Sequence, residues 1–185
     1  KIYIELVASQ KEFDQTVVAE LPSGIDDRPF IVGHADFDFT QLPARDAIAT
    51  GDIKRSGNAP NCSFYMNWVN KEDTIYWNAE VQVEGDYHAQ VYYTCPEEDL
   101  GSVLELRFGD SAITKQVTVA NDPPWVGAEF DRSLRKGESY VKDFKPMDLG
   151  VIHLDKGQNQ LTLSALEIPR KQAIEMRLIM LNRVN

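Results

Sequence analysis

Gly85-Asp86-Tyr87-His88-Ala89-Gln90-Val91-Tyr92-Tyr93-Thr94 alternates side chains, with Tyr87, Ala89, Val91 and Tyr93 on one face. Leu149-Gly150-Val151-Ile152-His153-Leu154 repeats the pattern, and Asp155-Lys156-Gly157 follows it. Leu161-Thr162-Leu163-Ser164-Ala165-Leu166 and Met176-Arg177-Leu178-Ile179-Met180-Leu181 complete the series. Alternation with period two places every second residue on one face of a strand. The Gly and Asp-Lys-Gly breaks supply the turns between strands. The stretch 85–181 therefore predicts short antiparallel strands, each burying one face. Paired layers of such strands give an all-β fold, a two-sheet antiparallel β-sandwich of the jelly-roll kind. Sandwiches of this kind serve as binding scaffolds more often than as catalysts.

Working outward, Ile75, Trp77, Ala79, Val81 and Val83 form another clean alternation. Cys62, Phe64, Met66 and Trp68 fall on one face, with Ser63, Tyr65 and Asn67 on the other. Core positions are expected for Trp68 and Trp77, and outward ones for Tyr65, Tyr76 and Tyr92. Further strands are expected over 103–108, 113–119, 141–145, 151–154, 161–168 and 175–181, about eight to ten in all. Residues 25–60 read as loop with short extended pieces, because Pro29, Gly33, Pro43, Gly51, Gly57 and Pro60 interrupt them. Phe30, Ile31, Val32, Phe37, Phe39 and Leu42 imply that this arm packs against something. Near the N-terminus, Ser9-Gln10-Lys11-Glu12 reads as a capping box opening a short helix. Its stripe would be Phe13, Val17, Val18 and Leu21, and Pro22-Ser23-Gly24 would stop it. The expected organisation is an N-terminal helix and irregular arm over 1–60, lying on the sandwich or on a missing catalytic domain, and the β-sandwich over 61–185.

The 185-residue chain carries a formal net charge of -10. An acidic surface repels phosphate backbones, which disfavours a nucleic-acid partner. No apolar run approaches the roughly 20 residues needed to span a bilayer, so no membrane partner is expected. The chain opens Lys1-Ile2-Tyr3-Ile4-Glu5, without Met or a basic leader, so a start inside a longer protein is expected. Cys62 and Cys95 suit either one disulfide or two small buried residues. With no Cys-x-x-Cys pair or Cys/His cluster, a zinc site is not expected.

Two sets of motifs carry a resemblance. Gly85-x-Tyr87, Gly101-Ser102-x-x-Glu105-Leu106, and Leu149-Gly150-x-Ile152-x-Leu154-x-x-Gly157-x-x-x-Leu161-Thr162-Leu163 are similar to family-6-type carbohydrate-binding modules. They also resemble the galactose-binding-like sandwiches appended to glycosidases. The second set runs through Arg28-Pro29-Phe30-x-Val32-Gly33, Leu42-Pro43-Ala44-Arg45-Asp46, Ile53-Lys54-Arg55-Ser56, Pro60-Asn61-Cys62-Ser63-Phe64 and Asn67-Trp68. It continues in Tyr92-Tyr93-Thr94-Cys95-Pro96, Asp122-Pro123-Pro124, Asp131-Arg132 and Glu138-Ser139-Tyr140-Val141-Lys142-Asp143-Phe144-Lys145-Pro146. This set resembles the C-terminal region of secreted bacterial formylglycine-type sulfatases (arylsulfatase-like hydrolases). The resemblance implies a non-catalytic accessory domain that braces an upstream sulfatase catalytic domain and contacts a sulfated or acidic polysaccharide. It also implies a secreted or periplasmic location. The family's Cys/Ser-x-Pro-x-Arg nucleophile signature is missing: Cys95 is followed by Pro96-Glu97-Glu98, and Cys62 by Ser63-Phe64-Tyr65.

Sugar-binding sandwiches stack an aromatic ring on a pyranose and hydrogen-bond its hydroxyls with polar side chains. Trp125, after Pro123-Pro124, is the expected loop platform, although it would equally plug one end of the sandwich. Residues 132–146 hold Arg132, Arg135, Lys136, Lys142 and Lys145 against Glu138 and Asp143. A basic loop on an acidic body suits a sulfated or carboxylated glycan, and the guanidinium fork pairs two sulfate oxygens at once. Trp125, Arg132 and Arg135 are the candidate ligand residues. The bland alternative pairs Arg132 and Arg135 with Asp131, Glu129 or the body. Glu97-Glu98-Asp99 and Asp26-Asp27 offer oxygens for a structural calcium, which requires six to eight converging ligands. No other cofactor is expected. His34, His88 and His153 show no Ser/His/Asp arrangement, so no catalytic residue is assigned. Two rival readings stand beside the accessory domain: a free-standing neutral-sugar module, and a purely structural interaction domain.

Overall fold

The computed structural model describes residues 2–17, 28–59, 63–133, 135 and 137–184. Among them, one helix, α1 (Ile2–Thr16), precedes twelve strands. These are β1 (Phe30–Val32), β2 (Phe39–Pro43), β3 (Ile48–Ala49), β4 (Lys54–Arg55), β5 (Tyr65–Met66), β6 (Thr74–Val81), β7 (Gly85–Thr94), β8 (Val103–Phe108), β9 (Ser111–Gln116), β10 (Lys145–Leu154), β11 (Gly157–Glu167) and β12 (Glu175–Arg183). They form two sheets. One is ordered β1-β6-β11-β8-β9, with β3 also on β6. The other is ordered β10-β7-β12-β5-β4, with β2 also on β12. Pairing is antiparallel except between β1 and β6. The fold is the expected all-β two-layer sandwich.

Register explains the core. In the first sheet Trp77, Leu161 and Phe108 lie side by side, as do Ile75, Leu163 and Leu106. In the second, Val91, Ile179 and Leu42 line up, and Ala89 pairs with Leu181. All of these are buried, and the two rows face each other across the sandwich. Each large side chain so enclosed contributes about 1.5–3 kcal/mol. Trp68 and Trp77 take the expected core positions, and each indole N–H donates to a backbone carbonyl, at Asp73 and Pro43 respectively. A bulge between Asp148 and Gly150 interrupts β10. Gly150 takes φ +115° there, and its N–H is received by Asp148 Oδ1 at 2.8 Å. The bulge resets the alternation so that Ile152 and Leu154 point inward.

Several expectations need correction. The helix begins at Ile2, so Ser9 lies inside it and does not cap it. No Gly or Pro breaks the chain between Ile2 and Thr16, so the helix runs through Ser9 without interruption even though Ile2, Tyr3, Ile4 and Val7 are only modest helix formers. None of its residues is buried, and Phe13 and the following Val17 are exposed. Val18, Leu21 and the expected stop at 22–24 lie outside the described residues, as does Cys62. Tyr65 points inward and its hydroxyl donates to the Ala47 carbonyl at 2.7 Å. The strand expected over 141–145 reduces to a single bridge between Val126 and Val141, and β10 begins only at Lys145 and runs, through its bulge, to Leu154. Pro146 is tolerated because β10 is an edge strand. The irregular arm supplies strands to both sheets, β1 and β3 to one, β2 and β4 to the other. No helix among the described residues is long and apolar enough to cross a membrane.

Candidate functional site

The two ends of the sandwich differ. At one end the chain crosses between the sheets in tight turns, at 82–84 and 155–156. At the other end lie the long connections 95–102, 117–144 and 168–174. Loops held at one end of a rigid scaffold are where binding residues collect.

The segment 117–144 is tied at its base by the Val126 N–H, which donates to Val141 O at 2.8 Å. Pro123 and Pro124 immediately precede Trp125, and each biases the residue before it toward extended backbone. The Trp125 ring rests on buried Phe64, with centroids 5.4 Å apart, and Phe64 also meets Phe144 at 5.0 Å. Lys142 Nζ lies 5.1 Å from the Trp125 centroid. That ammonium is itself held by Glu175 at 2.8 Å and by Asp122 at 3.9 Å. The Thr94 hydroxyl donates to the same Glu175 oxygen at 2.6 Å. Trp125 covers buried Phe64, yet remains 45% exposed. A ring fixed by its neighbours loses little freedom when a sugar stacks on it.

Arg132 and Arg135 separate in role. Arg135 Nε donates to Asp131 Oδ2 at 2.7 Å, and its guanidinium lies 4.8 Å from the Tyr140 ring. The Arg135 hydrogen bond holds the Asp131 carboxyl below its usual value, with Tyr140 adding to the effect and partial desolvation opposing it. Arg135 therefore shapes the loop through the ion pair that the bland reading foresaw. Arg132 lies on the exposed part of the same loop. Phe130 stands beside it, 82% exposed at the end of the short 3-10 turn Ala128–Phe130. Sequence reasoning passed over Phe130. The signal was available as a lone aromatic among Glu129, Asp131 and Arg132, with no alternation to place it in a core.

A cleft of about 340 Å³ lies on the shoulder where edge strands β9 and β10 meet. Tyr93, Lys115, Asn121, Lys145 and Asp148 are among its lining residues. Tyr93 is fixed by donating to Val119 O at 2.6 Å, and burial, with Cys95 next, pushes its phenol up.

Cys95 is a free, buried cysteine. Burial pushes its thiol up to about 11, with Asp99, Asp122 and Glu98 adding to the effect. A thiol so raised is a poor nucleophile near neutral pH. Glu97 and Glu98 are exposed while Asp99 is buried and receives the Lys171 N–H at 3.2 Å. Asp99 therefore serves the 168–174 connection. Asp26, Asp27 and Lys136 lie outside the described residues. His88 and His153 occupy the outer face of the second sheet, and each pairs with a carboxylate, Asp148 and Asp86 respectively, at 2.8 Å. Among the described residues one group with metal-ligating chemistry, Glu84 with His153 and Asp155, gathers at the tight-turn end, away from the long loops.

No family model and no curated protein matches the chain. Solved structures do resemble it. The C-terminal CBM6 of LamC, a marine laminarinase from Zobellia galactanivorans, gives a TM-score of 0.54 at 9% identity, covering 78% of this chain and 99% of that one. The Arthrobacter globiformis T6 isomalto-dextranase, solved with panose, gives 0.50 at 18% identity over 78% of this chain and 23% of its own. The mosquito-larvicidal Cry4Aa toxin from Bacillus thuringiensis gives 0.54 at 13% identity over 80% of this chain and 24% of its own. This chain thus spans about a quarter of the length of the latter two proteins. The likeness is one of fold: this chain shares a β-sandwich with part or all of each of these proteins.

Proposed function

We propose that this chain is a non-catalytic, carbohydrate-binding accessory domain that recognises an acidic glycan, sulfated or carboxylated, at its long-loop end. Trp125 carries the reading: its ring is braced by Phe64 and Lys142, yet 45% of the residue stays open to solvent. Trp125 stacks on the sugar, Phe130 widens the apolar contact, and Arg132 pairs with the anionic substituent. Arg135 holds the loop in shape through Asp131 and Tyr140. The finer reading places the domain in a secreted sulfatase, where it braces the catalytic domain and keeps it on its polymer. The resemblance of residues 28–33, 42–46 and 138–146 to sulfatase C-terminal regions supports that assignment. A Cys/Ser-x-Pro-x-Arg signature elsewhere in the same polypeptide tests it.

Binding to neutral and sulfated glycans at low and high salt tests the site. The proposal expects binding to acidic glycans that weakens with salt and disappears in Trp125→Ala. Salt-insensitive binding to neutral sugars would favour the neutral-sugar module, and no binding would favour a purely structural role. A second reading rests on the shoulder cleft, where Lys115 and Lys145 line one cavity. Loss of acidic-glycan binding in Lys115→Ala/Lys145→Ala, with Trp125→Ala silent, would move the site there.

A further inference from the structure

The tight-turn end of the sandwich holds a group of side chains that the glycan reading leaves unused. Two of its turns carry the chain from one sheet to the other: 82–84 joins β6 to β7, and 155–156 joins β10 to β11. Glu84 comes from the first turn and Asp155 from the second. His153, near the end of β10, stands opposite Asp86 of β7 in register. One donor atom from each of Glu84, His153 and Asp155 falls within 4.8 Å of the others.

The two nitrogens of His153 face different partners. Nδ1 lies 2.8 Å from Asp86 Oδ1. A neutral imidazole that donates its Nδ1–H to that carboxylate presents the lone pair of Nε2. Nε2 faces the Asp155 carboxylate, with Oδ1 at 3.6 Å. A tetrahedral ion with bonds of about 2.1 Å sets its donors roughly 3.4 Å apart. A carboxylate fixing one imidazole nitrogen while the other binds metal is the usual second layer of such sites. Three carboxylates around one imidazole, on a chain of net charge -10, also favour a cation at this tip.

We propose that Glu84, His153 and Asp155 bind a divalent transition-metal ion of the zinc class, with Asp86 orienting His153. Imidazole nitrogen with two carboxylates suits zinc, nickel or cobalt, whereas calcium takes oxygen donors alone. Three protein donors at an exposed tip leave room for water to complete the coordination. The ion would tie two neighbouring inter-sheet crossings together.

Calorimetric titration of the whole chain with zinc chloride tests this. One saturable site is expected, with calcium failing to compete. His153→Ala should weaken binding at least tenfold. Asp86→Asn should weaken it about tenfold although it removes no ligand. Glu84→Gln/Asp155→Asn, which keeps the His153–Asp86 pair, should also abolish the site, and zinc should raise the thermal midpoint of the parent chain but not of this variant. His34→Ala and His88→Ala should bind as the parent does, since among the described residues neither imidazole belongs to a group of three metal-ligating side chains. Non-saturable uptake by the parent, unchanged affinity in His153→Ala, or equal loss in His88→Ala would overturn the assignment.

Discussion

Lys142 Nζ sits 2.8 Å from Glu175 Oε2, and the two side chains are only 11% and 10% exposed. They join the base of the long loop to the first residue of β12, directly beside the Trp125 ring. Removing Lys142 leaves Glu175 a nearly buried carboxylate whose remaining contact is the Thr94 hydroxyl, with no counter-charge. Lys142→Ala should therefore destabilise the fold by about 3–5 kcal/mol, whereas a Lys142→Met/Glu175→Leu pair should cost far less. Urea unfolding of the singles and the double measures this. A cycle with no coupling between the two sites would show that the pair is solvent-screened.

Phe130 and Trp125 should behave differently. Phe130 is 82% exposed, so Phe130→Ala should change stability by less than about 0.5 kcal/mol while weakening glycan binding. Trp125→Ala should remove binding and also cost stability, because it uncovers Phe64. Titration and thermal unfolding of the same two proteins separate the effects. A Phe130→Ala variant that binds as tightly as the parent would remove Phe130 from the site.

Tyr65 shows where reading the sequence succeeds and where it stops. Long alternating runs such as 85–94 and 161–165 were legible, because most residues there have paired neighbours on both sides and period two decides their face. Tyr65 sits in a two-residue strand, where the layer is irregular and both Phe64 and Tyr65 are buried. Alternation carries no information over so short a run. Likewise residues 25–60 read as loop with short extended pieces because the strands there are two to five residues long, and only pairing with β6, β12 and β5 makes them strands. Trp125 and Arg132 were legible as loop residues. The split between Arg135 as a brace and Arg132 as an exposed cation depends on where Asp131 and Tyr140 point, which spacing does not encode. The Glu84–His153–Asp155 group joins residues from two turns about seventy positions apart, and no local motif marks it.

The Tyr65 hydroxyl donates to Ala47 O at 2.7 Å inside the second sheet's short-strand corner. Tyr65→Phe removes the donor and leaves that carbonyl with a longer contact from Arg55 Nη2, at 3.5 Å. The expected cost is about 1–3 kcal/mol, measurable by chemical denaturation. A neutral substitution would mean that water replaces the phenol there.

Gly51 adopts φ +60°, and a Cβ placed on it would lie 1.7 Å from Asp73 Oδ1. Asp73 is buried, and its other carboxylate oxygen receives the Asp52 N–H at 2.9 Å. Gly51→Ala meets both a left-handed backbone, worth roughly 1–2 kcal/mol, and displacement of that carboxylate. A loss above about 2 kcal/mol is expected by thermal unfolding, and an unchanged midpoint would show that the turn relaxes freely.

Cys95 supplies a pH signature. Its folded value, about 11, lies above the ordinary thiol value of 9.0 because burial comes first and the Asp99, Asp122 and Glu98 carboxylates follow. Between those values the unfolded chain has released the proton that the native chain still holds. The native state then binds more protons, so stability falls as pH rises. The contribution is fully present below about pH 9 and is lost progressively up to about pH 11, by roughly 2–3 kcal/mol. Tyrosines and lysines titrate nearby, so the comparison is the parent against Cys95→Ala across that interval. The parent should show the steeper decline, and parallel curves would show that the thiol ionises as readily in the folded protein as in the unfolded one.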